Sequence, residues 1–215
     1  MTAPSLRRLK RACEALATCD PALAKAYEAM GPPAWRMGQP SYAALGRMIA
    51  HQQLSTKAAA TIWGRTEAML GDVTPEAVLA ADTEALRGCG LSRPKVAHLT
   101  SIAEAIVTGQ LNLDRVCTSD LESARKELIA VKGIGPWTAE LFLLYSVGAM
   151  DAFPVGDVGL MEAHKLLSGV EIRMEIKEFT EHAEVWRPYR GVAAHLLWAW
   201  INAERAKAGA ASPQA

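Results

Sequence analysis

Two short segments carry residues whose types and spacing could do chemistry. The first, Leu128 to Glu140, reads Leu-Ile-Ala-Val-Lys-Gly-Ile-Gly-Pro-Trp-Thr-Ala-Glu. One helix is expected to end near Ala130, Gly133 and Gly135 bracket a tight turn, and Pro136 is suited to open the next helix. A Gly-x-Gly turn entering a helix directs backbone N–H groups outward and forms a site for an anion such as a phosphate. Glycine permits unusual dihedrals there and lets the anion approach the backbone closely. An ordinary helix–helix turn would carry the same residues. The second segment, Phe153-Pro154-Val155-Gly156-Asp157, places a carboxylate after a Pro/Gly-rich loop, twenty residues beyond Trp137. Asp157 is expected to cap a helix starting at Val158, where the helix dipole favours its ionised form. A plain N-cap aspartate would look the same in sequence.

The elements that position these residues read as helices throughout, with apolar residues recurring at threes and fours. Thr74-Pro75-Glu76 places a cap and then a first-turn proline. Ser55 precedes a strong helix-forming run, Ser92 precedes a helix expected to reach about Val107, and Pro188 is suited to open a long last helix through Trp198, Trp200 and Ile201. Val170 to Met174 alternates too briefly for a strand and reads as loop. The expectation is an all-α protein of roughly ten to twelve helices, with a tail frayed over 206–215.

The chain has 215 residues, half of them hydrophobic, and its 23 Lys plus Arg balance 23 Asp plus Glu. A general electrostatic grip on nucleic acid is therefore not written in the totals, and any such contact must come from a local surface. No apolar run reaches membrane-spanning length, so no membrane association is expected. Ser5 to Arg11 lacks the apolar centre of a secretion signal and is weakly like an Arg-rich transit peptide. An amphipathic first helix with a solvated basic face is the preferred reading. Cys13, Cys19, Cys89 and Cys117 form no CxxC pair, which suits reduced thiols, and His98, His164, His182 and His195 share no metal spacing.

The hairpin-like turn followed by the Gly/Pro-rich loop and its aspartate resembles the helix-hairpin-helix–GPD superfamily of DNA glycosylases. Ile49-Ala50-His51-Gln52-Gln53-Leu54-Ser55 and Trp186-Arg187-Pro188-Tyr189-Arg190 resemble two further blocks of that family. The four blocks occur in order over roughly Trp35 to Trp200, and they point to the alkylation-repair branch, the 3-methyladenine DNA glycosylase II group. The resemblance implies a two-lobed helical fold with double-stranded DNA lying across the cleft. The central lobe would be 36–148, ending in the hairpin at about 128–146, and the second lobe 1–35 plus 149–205. It also implies a location in the cytoplasm of a bacterium or the nucleus of a eukaryote, not secretion. A monomer is the default.

The resemblance assigns catalysis to Asp157, whose carboxylate would stabilise a cation-like sugar and position or deprotonate the attacking water. Trp137 stands where bifunctional members carry a Schiff-base lysine. Lys132 does not occupy that place, so simple hydrolysis without lyase activity is implied. No four-cysteine iron–sulfur cluster is expected and no cofactor is required. Trp137 and Trp198 are candidates for a pocket that holds the flipped base, because an electron-rich indole attracts an electron-poor alkylated purine; core packing is the alternative for each. Trp186 and Trp200 are assigned to the core. Gly133 and Gly135 would donate backbone N–H groups to a DNA phosphate, with Thr138 adding a hydroxyl. The carbonyls of Ile129, Val131 and Ile134 would hold a monovalent cation, Na+ or K+. Gln52 would fill the gap left by the flipped base or form a hydrogen bond at its helix end, and Leu91 or Arg93 would be the wedge. His51 would reach DNA or fill space, and space filling is the preferred reading. Val158 and Gly159 follow the aspartate where some members place larger residues, which suggests a more open pocket. The base could then be an alkylated purine or a deaminated or oxidised one. A non-enzymatic helix-hairpin-helix DNA-binding module is the reading from another class, and it gives Asp157 no task.

Overall fold

A computed structural model of the chain describes residues 3–211, the side chains of Thr56 and residues 209–211 excepted. Its helices are α1 (Leu6–Cys19), α2 (Pro21–Met30), α3 (Tyr42–His51), α4 (Thr56–Leu70), α5 (Pro75–Ala80), α6 (Thr83–Gly88) and α7 (Arg93–Val107). There follow α8 (Leu113–Thr118), α9 (Leu121–Ile129), α10 (Pro136–Phe142), α11 (Val158–Ser168), α12 (Ile176–His182) and α13 (Arg190–Ala211). A π-helical turn, Leu143–Val147, extends α10, and a 3-10 turn, Ala183–Trp186, follows α12. The fold is all-α, with no strand among the described residues, and 170–175 is loop. No helix among them is long and apolar enough to cross a membrane.

Local chemistry sets most helix starts. Side-chain oxygens of Ser41, Ser55, Thr74, Asp82, Ser92, Asn112 and Asp120 each accept a backbone N–H from the first turn of the helix they precede. Each such bond satisfies a donor that the helix itself cannot, and its loss costs about 1 kcal/mol. Proline occupies the first turns of α2, α5, α7 and α10, where no N–H partner is lost.

Two boundaries differ from the sequence reading. Pro188 does not open the last helix: it lies in the turn after Trp186, following a cis Arg187–Pro188 bond, and α13 begins at Arg190. The expected fraying from residue 206 is not observed, since α13 is helical to Ala211. Ala206, Lys207 and Ala208 are strong helix formers, and Lys207 pairs with Glu204 one turn back. Residues 212–215 of that expected tail lie outside the described residues.

The chain divides into two compact units. One comprises 1–37 with 148–215, and the other 38–147. The first is built from α1, α2 and α11–α13. Its core centres on Trp186, Phe153 and Phe179, all buried, with the Phe153 and Trp186 rings edge-to-face at 5.6 Å. Burying each of these side chains contributes roughly 1.5–3 kcal/mol. The second unit contains α3–α10, and its core includes Leu45, Ile49, Trp63, Leu99, Ile102, Leu128 and Phe142.

Candidate active site

Asp157 sits at the N-cap of α11, as its position after the Gly/Pro loop suggested. The loop turns sharply before it: the Asp157 N–H donates to the Pro154 carbonyl (3.1 Å), and Gly156 has φ +83°, a conformation suited to glycine. The Asp157 Oδ1 atom accepts two hydrogen bonds, from the Leu160 backbone N–H (3.0 Å) and from the Trp198 indole Nε1–H (3.2 Å). Trp198 is 41 residues away on α13. The carboxylate is half-buried, so it is fixed by its donors while still reachable. Gly159 closes this arrangement: a Cβ there would lie 3.1 Å from Asp157 Oδ1 and 3.8 Å from the Trp198 Nε1 and Cδ1 atoms.

The Trp-Arg-Pro-Tyr-Arg segment anchors the start of α13 and hence the tryptophan. Arg190, almost fully buried, donates to Asp151 Oδ1 (3.1 Å) and Oδ2 (2.9 Å) and to Glu184 (2.7 Å). Arg187 donates to Asp151 (2.6 Å) and Glu184 (2.6 Å) as well. Asp151 begins the stretch that leads to Asp157, so this network ties that stretch to the helix that supplies the indole. Sequence reading had no local signal for it, because the partners are brought together only by folding.

The 38–147 unit holds the Gly-x-Gly turn. Between α9 and α10 the Val131 carbonyl accepts the Ile134 N–H (3.1 Å), and Gly133 has φ +101°. A Cβ on Gly133 would come within 2.7 Å of the His98 Cβ, so glycine is required by both conformation and space. Gly135 differs. Its φ is −80°, which any residue adopts, and a Cβ there would meet nothing within 4 Å. The expectation of an unusual dihedral thus holds for Gly133 alone; Gly135 leaves open space at the first turn of α10. The buried Glu140 of α10 is paired with Arg125 of α9, which fixes the two helices flanking the turn. Of the carbonyl set considered for a cation, Val131 and Ile134 have buried side chains and Ile129 an exposed one.

Thr138 is not displayed for a phosphate. It is 1% exposed, and its Oγ1 accepts the Gln52 Nε2–H at 2.8 Å. Thr138 begins a run, Thr138 to Phe142, that is buried throughout, whereas Gly135 and Pro136 just before it are exposed. Gln52 is correspondingly tethered: its backbone N–H caps α3 on Ile49, and its carbonyl accepts from Lys95 Nζ at 2.8 Å. The same ammonium also binds the Ala50 carbonyl at 2.8 Å, and burial lowers its pKa. Of the two wedge residues considered, Leu91 is 3% exposed and packs in the core, which removes it as a wedge, whereas Arg93 is exposed at the first turn of α7. Trp137 is half-buried on α10, Trp186 is in the core as expected, and Trp200 is only half-buried. His51 is half-buried, with its pKa lowered by burial first and then by Arg47 and Lys95.

The model of the HhH-GPD superfamily base excision DNA repair proteins matches residues 47–188, which contain the turn, the loop and Asp157.

The chain belongs to the HhH-GPD superfamily.

Among similar HhH-GPD proteins, DNA-3-methyladenine glycosylase 1 of Schizosaccharomyces pombe is 33% identical over 165 residues, covering 73% of this chain and 71% of the relative. The solved structure of S. pombe 3-methyladenine DNA glycosylase (Mag1) in complex with abasic DNA superposes with a TM-score of 0.79 at 29% identity, covering 87% of this chain and 95% of that one. The DNA-3-methyladenine glycosidase of Bacillus halodurans gives 0.77 at 31% identity, with 91% of each chain covered. A probable bifunctional transcriptional activator/DNA repair enzyme AlkA of Mycobacterium tuberculosis is also 33% identical, but this chain spans only 32% of its length.

Proposed function

We propose that this chain is a monofunctional DNA glycosylase of the 3-methyladenine type, which hydrolyses the N-glycosidic bond of alkylated purines in base-excision repair. The observation that carries the reading is the Asp157 carboxylate, held at a helix N-terminus by the Leu160 amide and the Trp198 indole. The similarity to glycosylases named for 3-methyladenine supports the substrate class. The partner is double-stranded DNA containing a damaged base, and the protein acts as a monomer in the compartment that holds that DNA.

In the reaction, the bond between the sugar C1′ and the base nitrogen breaks and its electron pair leaves with the base. Positive charge develops on the sugar, and a carboxylate already fixed in place stabilises it without reorganising. Water adds to C1′, and its proton is lost to Asp157 or to the released base. An alkylated purine is electron-poor, so an indole face attracts it. Trp137 offers such a face; Trp198 contributes through its N–H to the carboxylate as well as through its ring.

The Gly133 and Gly135 backbone amides bind a DNA phosphate, the open first turn at Gly135 allowing close approach. Arg93 acts as the wedge, and Gln52 fills the gap after breaking its bond to Thr138. A Na+ or K+ ion on the carbonyls of Ile129, Val131 and Ile134 would support the same turn; no cofactor or iron–sulfur cluster takes part in the chemistry. Trp137, rather than a lysine, at the lyase position supports hydrolysis alone.

The test is a panel of duplexes carrying 7-methylguanine, 3-methyladenine, a deaminated base and an oxidised base. The wild type is expected to release the alkylpurines without a borohydride-trapped adduct. Asp157→Asn is expected to bind the duplex and release nothing. Equal release by both proteins would refute the role of Asp157, and binding without release from any lesion would refute the enzyme reading.

A further inference from the structure

A second polar cluster lies in the unit that holds Asp157, and the glycosylase reading does not use it. Asp20 is the N-cap of α2 and is 3% exposed. Its Oδ1 accepts the Ala22 and Leu23 backbone N–H groups at 2.8 and 3.4 Å. Three ring nitrogens converge on its Oδ2: Trp186 Nε1 at 2.8 Å, His182 Nε2 at 2.8 Å and His164 Nε2 at 3.2 Å. A carboxylate oxygen offers about two lone-pair directions. The indole N–H, which can only donate, takes one. A single direction then remains for two imidazoles, and if both are neutral donors their protons crowd the same place.

A cation resolves this conflict, because both imidazole lone pairs and the remaining carboxylate lone pair can point to one ion. We infer that Asp20, His164 and His182 form a binding site for a divalent transition-metal ion of the zinc class. The donor set, two imidazoles and a carboxylate, is one such ions favour over Mg2+ or Ca2+. Ligand atoms about 2.0–2.2 Å from a tetrahedral ion are separated by about 3.2–3.6 Å. The His164 separation from Asp20 is already 3.2 Å, and the three ligand atoms lie within 4.8 Å of one another. His182 has a side chain 33% exposed, so it can make the small adjustment and leave a face of the ion for water.

The surroundings suit ligation. Metal-binding groups are commonly oriented by hydrogen bonds on their far side. Here the Trp186 indole orients Oδ2, backbone amides hold Oδ1, and Ser168 Oγ lies 3.5 Å from His164 Nδ1. The ion would tie α2 in the N-terminal segment to α11 and α12 in the C-terminal segment of the discontinuous unit. Its role is structural, and it is independent of base excision.

The experiment uses the full chain, treated with chelator, dialysed and titrated with Co2+ and then Zn2+. One equivalent of Co2+ should give the visible absorption of a tetrahedral N/O site, and Zn2+ should displace it. At a Zn2+ concentration about 100-fold above Kd the melting temperature should rise by about 5–10 °C. His182→Ala should weaken metal binding by more than about 100-fold, since even an outer partner of a ligand costs 10–100-fold. His182→Gln keeps an N–H donor for Oδ2 but no imidazole, so it should fold like the wild type and also lose the metal response. Absence of binding by the wild type would show a hydrogen-bonded network only and overturn the inference. Unchanged binding in either variant would assign the ion to other groups, such as the thiols, and overturn it equally.

Discussion

Gly159→Ala is the sharpest probe of how the carboxylate is held. The new methyl carbon would lie 3.1 Å from Asp157 Oδ1, so one of the two must yield by a few tenths of an ångström. The backbone of α11 is constrained by its helical bonds, and the carboxylate rotates about single bonds, so Oδ1 is the atom that moves. Moving it strains its hydrogen bonds from Leu160 (3.0 Å) and Trp198 (3.2 Å). Hydrogen bonds to a charged group contribute about 1.5–3 kcal/mol each, and partial loss of one corresponds to about 10-fold in rate. Misplacement of a catalytic group by about 1 Å costs about 100-fold, which sets the upper end. Stability responds differently, because alanine exceeds glycine in helix propensity by about 1 kcal/mol and offsets the strain. The assay is single-turnover release of 7-methylguanine at saturating enzyme, with melting temperature measured in parallel. The expected result is a rate reduced by about 10- to 100-fold with the melting temperature nearly unchanged. A rate within about twofold of wild type in a folded protein would refute the claim that Oδ1 placement controls the chemistry.

The two hairpin glycines should separate in behaviour. Gly133→Ala meets both a φ of +101° and the backbone of His98 at 3.0 Å, and should lower unfolding stability by about 2 kcal/mol or more, read by urea denaturation. Gly135→Ala should leave stability unchanged and weaken duplex affinity by gel shift; full affinity would argue against close phosphate approach at that residue. Lys95→Met removes two hydrogen bonds that hold the end of α3 and should cost about 1–3 kcal/mol, with wild-type stability in urea counting against that role.

His195 provides a pH test. Burial lowers its pKa, outweighing its bond to the Gly191 carbonyl (2.8 Å). The unfolded chain therefore binds the proton more readily, with a pKa of about 6.5. Stability from this group is present above that value and is lost as pH falls below it, by up to about 1.4 kcal/mol per pH unit until the folded pKa is reached. Urea midpoints between about pH 7.5 and 5.5 should fall more steeply for the wild type than for His195→Gln. Parallel slopes would exclude this source.

The sequence by itself determined the helical class and most helix starts, because a cap residue, a first-turn proline and apolar periodicity act within a few residues. It also singled out Asp157 and the Gly133 turn, not by local chemistry, which an ordinary cap and turn share, but by the order of four blocks that resemble the HhH-GPD superfamily. Tertiary structure decided which side chains face outward and which atoms meet. Thr138 turned inward to Gln52, Leu91 joined the core, and Arg190 met Asp151. Histidines without any metal spacing in sequence converged on Asp20, more than 140 residues away. The Trp198 N–H reached Asp157 across 41 residues. Local rules cannot specify such pairs, because their geometry depends on how separate helices pack, and the hydrogen bonds exist only once that packing has brought the atoms within about 3 Å.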